Sequence, residues 1–113
     1  MGTDKLRGPS HMGIQKAMSI MGGKWRAVIL YHLMDGEKRF NELRECMPTI
    51  TQRMLTLALK DLVDAGVVDR KELENKKKHV QYRLTELGES MEDVIRMIQE
   101  WGEMKWLVED DEE

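Results

Sequence analysis

The sequence predicts a mainly α-helical protein with one small β-hairpin, and three observations carry that prediction. Apolar residues recur every three or four positions at 24–34, at 50–64 and again after residue 85, the spacing of amphipathic helices. At 79–84 the pattern changes to alternation, with Val80, Tyr82 and Leu84 set against Gln81 and Arg83, the period of a strand. A polar run, Glu74-Asn75-Lys76-Lys77-Lys78, separates that strand from another at 67–73 and fits the tip of a hairpin.

The elements follow in order. Residues 1–12 are polar, contain Gly8-Pro9-Ser10 and end in His11-Met12, so they read as a vector-derived leader outside the fold. One domain is expected over 13–107. Ile14 to Met21 forms a short apolar-rich helix stopped by Gly22-Gly23, and Lys24 to Met34 forms a second, with Trp25, Val28, Ile29 and Leu33 at helical spacing. Asp35-Gly36 ends it, glycine being suited to the left-handed position after a helix. A third short helix at 38–47 must stop before Pro48, because a residue preceding proline is pushed out of helical conformation. The fourth helix covers 50–64, with Thr49 or Thr51 accepting a backbone N–H as its cap. Ile50, Met54, Leu55, Ala58, Leu59 and Leu62 gather on one side of it, while Gln52, Arg53, Thr56 and Lys60 face the other. Leu57 falls on the polar side and breaks the pattern. Beyond the hairpin, Thr85 is a natural cap for one long last helix, and Glu86, Glu89 and Glu92 suit its positive start. Its apolar stripe is Leu87, Met91, Val94, Ile95, Ile98, Trp101 and Met104. The acidic end at 108–113 is expected to be a disordered tail.

Net charge is −3, but it is unevenly spread. Residues 37–84 carry eleven bases against eight acids, and residues 85–113 carry two bases against eleven acids. A local basic surface can therefore meet phosphates despite the overall sign. No run of about 18 apolar residues predicts a membrane span, and no basic start followed by an apolar core predicts secretion. The single cysteine, Cys46, cannot form an internal disulfide, which fits a reducing cytoplasm.

Three helices followed by a hairpin is the winged helix-turn-helix arrangement, here with extra helices at both ends. In that arrangement the helix at 38–47 positions, Pro48 and Thr49 turn, and the helix at 50–64 enters the major groove of double-stranded DNA. Arginine pairs with guanine, glutamine with adenine, and threonine with phosphate or a thymine methyl. Thr51, Gln52, Arg53, Thr56 and Lys60 are thus the candidate groove residues. Arg39 and Arg44 are candidate phosphate contacts, and Lys71, Lys76, Lys77 and Lys78 make a basic wing for the backbone or the adjacent minor groove.

Gly-Gly-Lys-Trp (22–25), Arg-Phe-Asn-Glu-Leu (39–43), Thr-Gln-Arg-Met-Leu (51–55) and Tyr-Arg-Leu-Thr-Glu-Leu-Gly (82–88) together resemble the HxlR family of winged-helix regulators, relatives of the MarR type. Glu100-Trp101-Gly102 continues the likeness, which runs from about Gly13 to Trp106. The resemblance implies a cytoplasmic homodimeric transcription factor on a palindromic operator, its protomers paired through the first and last helices. The expected pairing residues are Ile14, Met18, Met91, Val94, Ile95, Ile98 and Trp101. Two departures stand out. Oxidant-sensing members of the family carry a cysteine shortly before Gly-Gly-Lys-Trp, where this chain has about Met12, and family wings carry proline and acidic residues where this one has Lys76-Lys77-Lys78. Cys46 has a default reading as a small buried apolar residue between Leu43 and Met47 and an alternative one as a redox thiol beside the turn.

Two other classes compete. A protein-interaction module on the same fold would dock a partner through the last helix and tail, but would not need the basic face. An enzyme is not expected: there is no Gly-rich phosphate loop after a strand, no zinc-like Cys/His spacing, and His32 and His79 lie far apart. No cofactor or metal is expected. A small effector of unknown chemistry would find room between the terminal helices and the core of a dimer, where three tryptophans and ten methionines offer adaptable walls.

Overall fold

The computed structural model describes residues 11–73 and 79–112, with backbone only from 107 onward. The chain runs α1 (Met12–Met21), α2 (Arg26–Leu33), β1 (Lys38–Arg39), α3 (Phe40–Cys46), α4 (Gln52–Asp64), β2 (Val68–Leu73), β3 (His79–Leu84), α5 (Glu86–Glu89) and α6 (Glu92–Glu112). The mainly helical class is as the sequence predicts, with one correction to the sheet. It has three strands, not two, in the order β1-β3-β2, all antiparallel.

The core forms where the helices face the sheet. Ile29, Leu30 and Leu33 of α2 meet Leu43 of α3, Leu55, Leu59 and Leu62 of α4, and Val67 and Val68 at the start of β2. Ile95 closes this core from α6 with only 3% of its surface exposed. Ile50, expected on the fourth helix, precedes it and is buried beneath the turn.

Lys38 and Arg39 were expected in the third helix. They are extended instead, opposite Tyr82 and Gln81 of β3. The helix starts only at Phe40, where the Glu42 carboxylate accepts the Arg39 backbone N–H at 2.7 Å. Of the two candidate caps for α4, Thr51 serves: its hydroxyl oxygen accepts the Met54 N–H at 3.0 Å. Gly66 ends that helix region with φ of 82°, a left-handed conformation that costs glycine little.

The single long last helix is also corrected. It is broken into α5 and α6 near Ser90 and Met91. Thr85 caps α5 by accepting the Gly88 N–H at 3.1 Å and donates its own hydroxyl to the Gly66 carbonyl at 2.6 Å. Gly88 rests on the Val67 carbonyl, where any Cβ would collide with that oxygen. These contacts set the direction of α5, and α6 starts afresh at Glu92. Leu87 therefore leaves the expected stripe and is exposed on α5. The helical backbone of α6 runs past the boundary expected at 107. The hairpin tip with Lys76, Lys77 and Lys78 lies outside the described residues.

Candidate nucleic-acid interface

The orientation of α4 follows from its own sequence. Leu55, Ala58, Leu59 and Leu62 are buried. At about 3.6 residues per turn, that leaves Arg53, Leu57, Lys60 and Asp64 on the opposite side, and all four are exposed. Gln52 and Arg53 occupy the first turn, at the positive end of the helix, where an anionic partner is favoured. Among the described residues the Arg53 side chain has no partner. Lys60 reaches Asp64 at 3.1 Å, but both side chains are more than 60% exposed. A pair so exposed holds weakly and leaves the ammonium available to a phosphate. The Thr56 hydroxyl donates to the Gln52 carbonyl at 2.9 Å, so its methyl is the group left to face outward.

The sheet brings two further candidates together. Arg39 of β1 and Lys71 of β2 both lie opposite Gln81 of β3, so the three share one face of the sheet. Two strand spacings separate the cations, about 10 Å. Arg44 is exposed on α3 with no partner among the described residues. The sequence reading missed Arg70, which lies with Lys60, Thr56 and Tyr82 around a groove of about 220 Å³ between α4 and the sheet. Its guanidinium stands 3.6 Å from the Glu72 carboxylate. Alternation counted from the buried Val68 would have placed it on the side facing α4.

Cys46 ends α3 with its thiol exposed, which corrects the default reading of a buried residue. Met47 takes the buried position instead, because the chain leaves the helix there and swings the next side chain inward.

The expected pairing residues divide in two. Ile14 and Met18 of α1 and Val94, Ile98 and Trp101 of α6 are exposed. Met91 is half-buried against the core and Ile95 is part of it, so Ile95 serves its own protomer and is not a surface residue. Met97 and Met104, which the reading did not assign to pairing, share the outward face of α6. The helix thus has two apolar faces, one used internally and one turned to solvent. Between α2 and α6 lies a groove of about 370 Å³ whose walls include Val28, Tyr31, His32, Ile95 and Ile98. Ala27, Gln99, Gly102 and Glu103 complete its lining. Burial lowers the pKa of His32 below its usual 6.5, the charge of Lys38 lowers it further, and Asp35 opposes them.

A short helix, a turn and a capped outward-facing helix, flanked by an antiparallel hairpin, define the winged helix-turn-helix class. Residues 20–111 match the model of the HxlR-like helix-turn-helix family, and the chain belongs to that family. It is 48% identical over 90 residues to the uncharacterized HTH-type transcriptional regulator YdeP of Bacillus subtilis (strain 168), covering 80% of this chain and 70% of that one. Its fold is similar to that of the redox regulator HypR in its reduced form, with TM-score 0.81, 40% identity, and coverage of 88% of this chain and 98% of that one. The reduced form of the transcriptional regulator YodB from B. subtilis matches with TM-score 0.72 and 37% identity, covering 81% and 90%. YdeP and YodB carry the name of transcriptional regulators and HypR that of a redox regulator. Among the described residues no helix is long and apolar enough to cross a membrane.

Proposed function

We propose that the chain acts in the cytoplasm as a homodimer that binds a palindromic operator in double-stranded DNA. One observation carries this reading: α4 is backed by the core and capped by Thr51, yet turns Gln52, Arg53, Thr56 and Lys60 outward. In the major groove, Arg53 and Gln52 reach base edges. Lys60, Arg44, Arg39, Lys71 and the lysines at 76–78 meet phosphates, with the β2–β3 hairpin on the backbone or in the adjacent minor groove. The outward apolar face of α6, with Ile14 and Met18 of α1, pairs the protomers and presents α4 twice.

Selection from a random DNA pool tests this. An inverted repeat with half-sites about one helical turn apart, roughly 10 base pairs, is expected, with affinity falling steeply as salt rises. Arg53→Ala should relax base preference at one position of the half-site, whereas Lys71→Ala should weaken all sequences alike. A pool that shows no enrichment would remove the reading.

The same reading gives Cys46 a role. An adduct on this exposed thiol adds bulk beside the turn that sets α4 against α3. Diamide together with a small thiol such as glutathione joins the two sulfurs in a mixed disulfide at Cys46 while the diamide takes up both hydrogens; this should weaken operator binding by the native chain and leave Cys46→Ser unaffected. Equal loss in both would show that the thiol is not the sensor.

A further inference from the structure

The solvent face of α4 is not uniformly polar. Leu57 is 49% exposed, and Met54, nearly one turn earlier, is 39% exposed. Leu57 stands between Arg53 on one side and Lys60 and Asp61 on the other, at the centre of the surface that would enter the groove. Nothing inside the protomer asks for a leucine there, because Leu55, Ala58, Leu59 and Leu62 already fill the inward side. Thr56 beside it has its hydroxyl committed to the helix backbone. The middle of the face is therefore apolar, with cations at Arg53 and Lys60 flanking it.

Such a patch gains nothing from most base edges. A leucine pressed against guanine N7 and O6, or against the cytosine amino group, strips water from a polar edge and returns no hydrogen bond. The major groove offers one apolar group, the C5-methyl of thymine. We infer that Leu57 reads the C5-methyl of a thymine in each half-site, which makes it a specificity-determining residue alongside Arg53. This rests on α4 being the helix that enters the major groove. Residues one turn apart on a helix stand about 5–6 Å from each other, and bases along a strand about 3.4 Å. The thymine then lies within about two base pairs of the base that Arg53 contacts.

Replacing thymine by deoxyuridine removes that methyl and leaves pairing intact, so the test uses the full chain on its selected operator with each thymine replaced in turn. The wild-type chain should lose about fourfold in affinity for each half-site substituted at the contacted thymine, the factor that one buried methyl-sized group is worth. Leu57→Ala should bind the thymine and deoxyuridine operators equally. Because Leu57 is exposed, the variant keeps the core intact, and its circular dichroism should match the wild type. If no thymine is sensitive in the wild type, or if Leu57→Ala loses as much as the wild type, this inference is overturned while the regulator reading stands. If the pool yields no operator at all, both fall together.

Discussion

His32 is the ionisable side chain against which the fold works. It lies half-buried between α2 and α6, with its ring edge-on to Tyr31 at 5.4 Å between centroids. Burial, and then the charge of Lys38, hold its pKa below 6.5. The neutral form is thus favoured in the folded chain, and the unfolded chain binds the proton more readily. Stability from this residue is intact above about pH 6.5, falls as pH drops through that value toward the lowered folded pKa, and falls no further below it. Thermal unfolding from pH 7.5 to pH 5 should therefore show a decline that is shallower in His32→Gln, and identical slopes would sink the assignment. At this scale the outward face of α4 was legible, because one helical period fixes which residues face away from Leu55 and Leu59. Arg70 was not read, because it shares the side of β2 that holds the buried Val68, opposite to the side that carries Lys71. Cys46 was misread because Leu43 and Met47 on either side of it suggested burial; both are buried, while Cys46 at the end of α3 faces out.

An element is legible when its own residues specify it. The amphipathic run of α4 and the alternation of β3 are properties of local sequence, and both appear within two residues of where they were expected. β1 has no such signal. Two residues carry no period, and Lys38 and Arg39 are extended because β3 offers backbone partners. The break between α5 and α6 was hidden for a related reason: the apolar spacing continues through it, but tertiary contacts to Gly66 and Val67 redirect the chain. Thr85 is the residue on which that junction depends. Its hydroxyl donates to the Gly66 carbonyl and accepts from Gly88, while its backbone N–H donates to the Val67 carbonyl at 3.0 Å. Thr85→Ala should destabilise the chain by about 1–2 kcal/mol, combining a lost cap with an unmet carbonyl. Thr85→Ser, which keeps the hydroxyl, should recover most of that loss in urea unfolding. Equal midpoints for the two variants would mean that the hydroxyl does not hold the junction.

The whole molecule is extended for its length. Its radius of gyration is 16.7 Å, against about 13 Å for a compact domain of this size. Along α6, Val94, Met97, Ile98, Trp101 and Met104 are turned outward. An apolar surface of that kind on a chain this short is expected to be covered by a partner, and a second copy supplies the same surface under two-fold symmetry. If the chain binds an operator as proposed, pairing and operator affinity become one property. On the proposed function, each protomer alone would hold a half-site weakly, and the joined pair would gain about 10²–10⁴ in avidity without any new contact. Trp101→Glu puts a charge at the centre of this face, 61% exposed in the single protomer, and leaves the sequence of α4 unchanged. In sedimentation it should run as a monomer, and its affinity for the full operator should fall by at least about a hundredfold. Its affinity for a duplex holding one half-site should match that of the wild type, since α4 is untouched. A variant that stays dimeric would place the pairing surface elsewhere. A monomeric variant that also loses the isolated half-site would instead show that α6 supports the reading head itself, through Ile95 and the core beneath it.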